Sequence, residues 1–224
     1  MGSRSEVVTM DFALARRMMV DGQVRTSDVT NLDLIAAMLE VPRERFVPSR
    51  NADIAYLDRD VPLDNGSRQL LKPMVLAKLI QAADVQSDDR VLDLACATGY
   101  STAILSRLAA SVVALEEDAD LAHKATQNLK GVANVTVVQG PLVGGWPERA
   151  PYDVILLNGK SEVVPQDICR QLRDGGRLVG VVGEGVVGKA MIYLSEGGDV
   201  SGRPIFDAAA ALLPGFAKPP AFVF

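Results

Sequence analysis

Histidine and cysteine are nearly missing from this 224-residue chain: His123, Cys96 and Cys169 are its whole stock. Without a CxxC pair or a His–Cys cluster there is no zinc site of the usual ligand types, so no metal is expected. A Ser–His–Asp triad would depend on His123 alone, which falls in an alanine- and charge-rich helical stretch and reads more plainly as a solvent-facing side chain. Two cysteines with no spacing pattern fit a reducing cytoplasm better than a disulfide framework. No run approaches the roughly 20 apolar residues of a membrane span, so no membrane partner is expected. Residues 1–10 are polar and lack the apolar centre of a secretory signal. A basic face is missing as well: 23 Lys+Arg against 28 Asp+Glu leave a net charge of −5, which argues against nucleic acid. One tryptophan and four scattered tyrosines do not make a base-stacking platform.

What is present is the mix of a soluble globular protein, 48% hydrophobic and 23% charged. A chain of this size hides roughly 70% of its unfolded surface and needs no staples. Up to residue 84 it reads as helices and loops. Thr30-Asn31 opens a helix whose Leu32, Ile35 and Leu39 recur at i, i+3 and i+7, and Pro42 ends it. Residues 61–72, with Asn65-Gly66, read as a loop, and Pro73 starts an amphipathic helix over 74–83. From Arg90 the texture changes. Apolar, β-branched runs stand at 90–94, 111–115, 135–138, 152–157 and 177–182, separated by helical patterns such as 103–108 and 121–129. Strands apolar on both faces and alternating with helices predict a doubly wound α/β sheet, parallel and covered on both sides. In the tail, 191–194, a turn at 196–199 and 204–211 predict an antiparallel hairpin at one edge. The expected organisation is thus a helical extension, 1–84, packed on a compact α/β domain, 85–224.

In such a sheet, ligands bind at the carboxyl ends of the strands. The loop after the first strand reads Asp93-Leu94-Ala95-Cys96-Ala97-Thr98-Gly99, and its turn leaves backbone N–H groups facing a ligand. Glu116 lies 23 residues beyond Asp93, where an acid accepts hydrogen bonds from ribose hydroxyls. Each feature has a plainer reading. Asp93 could serve simply as an N-cap or turn acceptor, and Glu116, Glu117 and Asp118 as acids before a helix N-terminus. Taken together, in this order and spacing, they point to a nucleotide-type ligand. A dinucleotide site would need G-x-G-x-x-G, and only Gly99 is present, which disfavours a nicotinamide-dependent oxidoreductase.

The loop instead resembles, position for position, the first motif of class I S-adenosylmethionine methyltransferases, with Ala95 and Ala97 where glycine is usual. The segment 36–48, AAMLEVPRERFVP, and the 62–73 loop resemble the protein-L-isoaspartate O-methyltransferase family. Glu116, Gly140, Gly145-Trp146, Ala150-Pro151-Tyr152-Asp153 and the stretch from Leu172 to Glu184 follow that family's order, so the likeness runs over about residues 20–185. It implies a Rossmann-like sheet of the methyltransferase type, S-adenosylmethionine as cofactor with S-adenosylhomocysteine as product, and a protein or peptide carboxylate as acceptor. By the same resemblance, Asp93 contacts the methionine portion and the backbone from Ala95 through Ala97 to Gly99 approaches the cofactor. Glu116 holds the ribose, Gly140 flanks the adenine, and Asn158 stands near the transferred methyl. A carboxylate is already ionised at neutral pH, so positioning supplies most of the rate and no histidine is required.

The chain departs from the family at three places. Four and two residues before Pro73, where hydroxyls hold the acceptor carboxylate, stand Gln69 and Leu71. Ser67 is the nearest hydroxyl, Gln69 a second polar candidate, and Lys160 a cation that could replace the lost contact. Losing one such hydrogen bond costs roughly 1.5–3 kcal/mol. Ala95 and Ala97 cost about 1–2 kcal/mol each if left-handed backbone is required. Gly140-Pro141-Leu142 lacks the family's acid toward the adenine and loses a backbone donor. These departures leave a second class of function open, a catalytically silent relative serving as a binding or interaction module.

Overall fold

The computed structural model describes residues 10–64, 66 and 68–219. Asp11 caps the first helix, α1 (Phe12–Met19), by accepting from Leu14 N at 3.0 Å, and the helix runs on through a π-turn at Val20–Val24. Asn31 caps α2 (Leu32–Glu40) in the same way, its side chain accepting from Leu34 N at 2.9 Å. The helix buries Leu34, Ile35, Ala37 and Met38, whereas Leu32 is 73% exposed. Of the expected stripe, Ile35 is buried and Leu39 packs against the core, while Leu32 faces solvent and Leu34, Ala37 and Met38 complete the buried face. Apolar residues occupy most of this helix, and periodicity alone could not say which face meets the core. Pro42 ends α2, and two 3-10 turns follow, Arg43–Phe46 and Ser49–Ile54.

The 61–72 segment is not all loop. Val61–Pro62 (β1) and Gln69–Leu70 (β2) pair antiparallel, closing a small hairpin. Strands of two residues have no period to read, so only the tertiary fold reveals them. Pro73 then opens α3 (Pro73–Ala83) at the first turn, as expected.

The α/β part runs β3 (Arg90–Leu94), α4 (Tyr100–Leu105), β4 (Ser111–Glu116), α5 (Ala119–Asn128), β5 (Val135–Gln139), β6 (Tyr152–Ser161), α6 (Gln166–Cys169), β7 (Leu172–Val182), β8 (Gly188–Glu196) and β9 (Asp199–Ala208). The sheet order is β5-β4-β3-β6-β7-β8-β9; the first five are parallel, and β8 and β9 join antiparallel. The switch in strand order falls at β3, between β4 and β6, where an open α/β sheet places its ligand. Several expected bounds shift. β6 continues past residue 157 to Ser161 through a register irregularity, β7 begins at 172 and bulges before Arg177, β8 spans 188–196, and β9 runs from Asp199 to Ala208. α4 ends at Leu105, three residues short of its apolar pattern.

The sheet buries both faces. One carries Leu92, Leu94, Ile155, Leu157 and Tyr193; the other carries Val91, Val154, Leu156 and Val179. The second face shares a single core with Met19, Leu34, Met38 and Ile80, so the N-terminal helices lie directly on the sheet's own hydrophobic layer. No helix among the described residues is long and apolar enough to cross a membrane.

Arg177 on β7 fastens the end of α3 to this face. Its guanidinium donates to Ala83 O at 2.7 Å, to Asp84 O at 2.6 Å and to the buried Asp89 carboxylate at 2.9 Å. Removing one partner of a buried pair strands the other charge away from water. Arg177→Ala should therefore lower the free energy of unfolding by about 3 kcal/mol in urea titrations; a loss under about 1 kcal/mol would reduce the clamp to a surface contact.

Candidate active site

The loop joining β3 to α4 carries the strain that its alanines foretell. Ala95 and Ala97 are held at φ of 67° and 54°, and Gly99 at 93°. Alternating left-handed residues turn successive backbone groups toward the strand ends, and for alanine each costs about 1–2 kcal/mol. The loop is nonetheless fixed: Ala95 N and Cys96 N both donate to Leu115 O, at 2.9 and 3.0 Å, and Gly99 N to Cys96 O at 2.9 Å.

Asp93 sits beneath this loop with no exposure. Its Oδ2 accepts from Ser101 Oγ and Thr102 Oγ1, both at 2.6 Å, because α4 begins at Tyr100 and brings these hydroxyls back over the strand. Oδ1 has no hydrogen-bond partner among the described residues. Burial pushes this carboxyl up to about 6, against the opposing hydroxyl bonds, and the nearby Glu116 adds to the rise. The reading of Asp93 as a turn acceptor holds only in part, since its bonds run to side chains and one oxygen is left over. Asn158, in β6, extends the chain by donating from Nδ2 to Ser101 Oγ at 2.6 Å.

Glu116 closes β4, also fully buried. Its Oε2 accepts from Ala97 N at 2.8 Å, and its Oε1 from Glu117 N at 2.9 Å and Asp118 N at 3.1 Å. The same Oε1 accepts from Arg68 Nη1 at 2.6 Å, and Arg68 Nη2 donates to Ala95 O at 2.9 Å. The acids after β4 divide their roles. Asp118 caps α5, accepting from Asp120 N and Leu121 N, while Glu116 faces the loop.

The remaining candidates scatter. Gly140 N donates to Glu116 O at 3.1 Å, and the Trp146 ring lies so close that a methyl group on Gly140 would approach it to 2.9 Å. Leu71 is buried in the core and turns its carbonyl to the fully buried Arg43, so that position offers no polar contact to a ligand. Gln69 is half-buried in β2. Ser67 lies outside the described residues. Lys160 is buried: β6 carries it inward to 5% exposure, and its Nζ donates to Gly185 O. His123 is exposed, beside Gln127. Among the described residues no group of three or more His, Cys, Asp or Glu could hold a metal.

Arg68 and Arg43 escape a reading of motifs. Arg68 carries no periodic signal, and its charge alone predicts a solvated side chain. Arg43 is drawn into the interior, donating to Ala55 O at 2.7 Å and Leu71 O at 2.8 Å beneath the Tyr100 ring, 4.7 Å from its centroid. The Ser101–Thr102 pair was legible in principle, since a helix opening at residue 100 returns its first turn toward Asp93.

The chain matches the family model described as protein-L-isoaspartate(D-aspartate) O-methyltransferase over residues 15–202. It is 38% identical to a protein-L-isoaspartate O-methyltransferase of Methanoculleus marisnigri over 170 residues, covering 75% of this chain and 77% of the relative. It is 36% identical to a protein-L-isoaspartate O-methyltransferase 1 of Rhodopseudomonas palustris over 200 residues, covering 87% and 81%. A solved protein-L-isoaspartate O-methyltransferase superposes with a TM-score of 0.78 at 25% identity, over 89% of this chain and 66% of that one. None of these similarities favours the silent-module reading.

Two measurements test the local physics. Asp93 is protonated more readily folded than unfolded, so its contribution to stability is full below pH about 4 and is lost as pH rises through about 6. Asp93→Asn removes that loss. The free energy of unfolding of the variant in urea titrations should match wild type near pH 4 and exceed it increasingly up to pH 7, by a margin on the order of 3 kcal/mol; a difference independent of pH would contradict the assignment. Ala97→Gly should leave stability within about 1 kcal/mol of wild type, because relief of the left-handed backbone offsets the lost methyl. The same change at Ala125, buried in α5, should cost at least about 1 kcal/mol more in urea titrations.

Proposed function

The chain belongs to the protein-L-isoaspartate(D-aspartate) O-methyltransferase family, and we infer that it transfers a methyl group from S-adenosylmethionine to the carboxylate of an isoaspartyl residue in a damaged protein. One observation carries the reading: a fully buried carboxylate, Asp93, keeps an oxygen with no partner among the described residues at the strand ends of a left-handed loop, beside a second buried acid, Glu116. An orphaned buried acceptor calls for a donor that the protein itself does not supply. The ammonium of a methionine portion has that chemistry, and a ribose diol has the chemistry that Glu116 accepts.

The residue roles follow. Asp93 Oδ1 takes the ammonium, while Ser101 and Thr102 hold the opposite oxygen and so fix the carboxyl plane. The left-handed turn from Ala95 through Ala97 to Gly99 brings backbone close to the cofactor with no side chain longer than a methyl at 95 and 97. Glu116 receives ribose hydroxyls, and Gly140, under Trp146, borders the adenine. When bound, S-adenosylmethionine supplies an electrophilic sulfonium methyl; the acceptor oxygen forms the new C–O bond as the S–C bond breaks, leaving S-adenosylhomocysteine. The protein's part is alignment and exclusion of water, with no proton to move. Lacking hydroxyls at 69 and 71, it meets the acceptor carboxylate through Asn158 and Lys160. Among the described residues the Lys160 ammonium donates to one backbone carbonyl, which a carboxylate would outcompete. The N-terminal helices cover the sheet face next to the site, and protein repair in a reducing cytoplasm suits two buried free thiols.

Calorimetric titration with S-adenosylmethionine and S-adenosylhomocysteine, followed by a methyl-transfer assay on an isoaspartyl peptide, tests the reading. Both ligands should bind and the peptide should be methylated. Product binding without transfer would mean a different acceptor, and no binding at millimolar ligand would remove the enzyme. Glu116→Ala should weaken binding by roughly 1.5–3 kcal/mol, about 10–150-fold.

A further inference from the structure

The buried pair between Arg68 and Glu116 stands where the ribose would have to go. Both side chains are almost fully withdrawn from solvent, 4% and 0% exposed, with Nη1 2.6 Å from Oε1 and Nη2 2.9 Å from Ala95 O. The guanidinium thus spans from the end of β4 to the left-handed loop after β3, the two elements between which a nucleoside would lie. A carboxylate offers about four acceptor positions. Backbone N–H groups of Ala97, Glu117 and Asp118 use three, and Arg68 takes a fourth. A ribose hydroxyl needs one of them, and only the position held by Arg68 is not a backbone contact. The cleft beside this loop, about 430 Å³, is lined by Phe46, Thr98, Leu121 and Lys124, among others, and reaches none of Asp93, Ala95 or Glu116.

Arg68 is delivered by the hairpin formed by β1 and β2. Leu63 N donates to Arg68 O at 2.9 Å. At the tip, Asp64 pairs with Arg50 and with Lys124 of α5, both at 2.6 Å, and these exposed ion pairs are weak enough to part. The hairpin therefore rests across the site, with one of its side chains inside.

Accepting that the site takes S-adenosylmethionine, we propose that Arg68 is a built-in competitor for the ribose subsite. The cofactor enters only by exchange: the guanidinium withdraws with the hairpin, and the diol takes its place on Glu116. The exchange leaves a sound site, because Glu116 keeps three backbone donors and Ala95 O is free to meet the ligand. The apparent affinity is then the intrinsic affinity multiplied by the fraction of molecules with Arg68 withdrawn. The same step ties cofactor loading to movement of the segment that precedes Gln69 and Leu71, on the acceptor side.

Calorimetric titration of S-adenosylhomocysteine into the full chain tests this with wild type, Arg68→Met and Arg68→Ala. Arg68→Met keeps an apolar stem and guards against simple loss of packing. Both variants should bind at least tenfold more tightly than wild type, and adding Glu116→Ala to Arg68→Met should abolish the gain. In wild type, ligand should speed amide hydrogen exchange in a peptide spanning residues 60–72. Equal or weaker binding by both variants, or slower exchange on loading, overturns the competitor while leaving the cofactor reading intact. No binding by any of the three proteins overturns both.

Discussion

Burying the carboxylate of Glu116 obliges its surroundings to supply donors, since a buried charge without them would cost several kcal/mol. The fold answers with backbone from two loops and a guanidinium from a third: Ala97 N from the turn after β3, Glu117 N and Asp118 N from the turn after β4, and Arg68 from the β1–β2 hairpin. One side chain therefore sets the mutual position of all three. The left-handed course at Ala95 and Ala97 belongs to the same arrangement, because it is what points Ala97 N at the acid.

Around this joint the protein holds several unfavourable features at once: two alanines in left-handed backbone, a carboxyl at Asp93 pushed toward neutrality with one oxygen unpaired, and a fully buried Arg43 answered by carbonyls rather than an acid. Strain and unpaired polarity of this kind are commoner where a fold serves function than where it serves stability. The rest of the chain compensates by ordinary means. The sheet is covered on both faces, and the N-terminal helices contribute to the same hydrophobic layer as β3, β6 and β7. Methyl transfer to a carboxylate suits such a site, since it asks for orientation and dryness and for no titrating base.

Local signals carried the architecture far. The alternation of β-branched runs with helical patterns from Arg90 onward is a direct consequence of strands buried on both faces, and it correctly located β3, β4, β5 and the antiparallel tail. Asp93 and Glu116 were legible because their spacing reflects a strand–helix–strand unit whose ends meet at the switch in strand order. Failures arose where local pattern is degenerate. In α2 the expected stripe took Leu32 for Leu34 while placing Ile35 correctly, because the helix is apolar nearly all round, and the two-residue β1 and β2 have no period at all.

Composition, periodicity and motif order by themselves determined the fold class and the likeness to the methyltransferase family. These depend on near neighbours in the chain or on bulk counts. The fates of Arg68, Lys160 and Arg43 were decided only in three dimensions. Each is a cation whose local sequence predicts solvent, and each is drawn inside by acceptors 48, 25 and 28 residues distant along the chain, at Glu116, Gly185 and Leu71. Long-range pairing of that kind leaves no trace in spacing, because nothing in the nearby chain records which distant carbonyl or carboxylate the fold will set beside it.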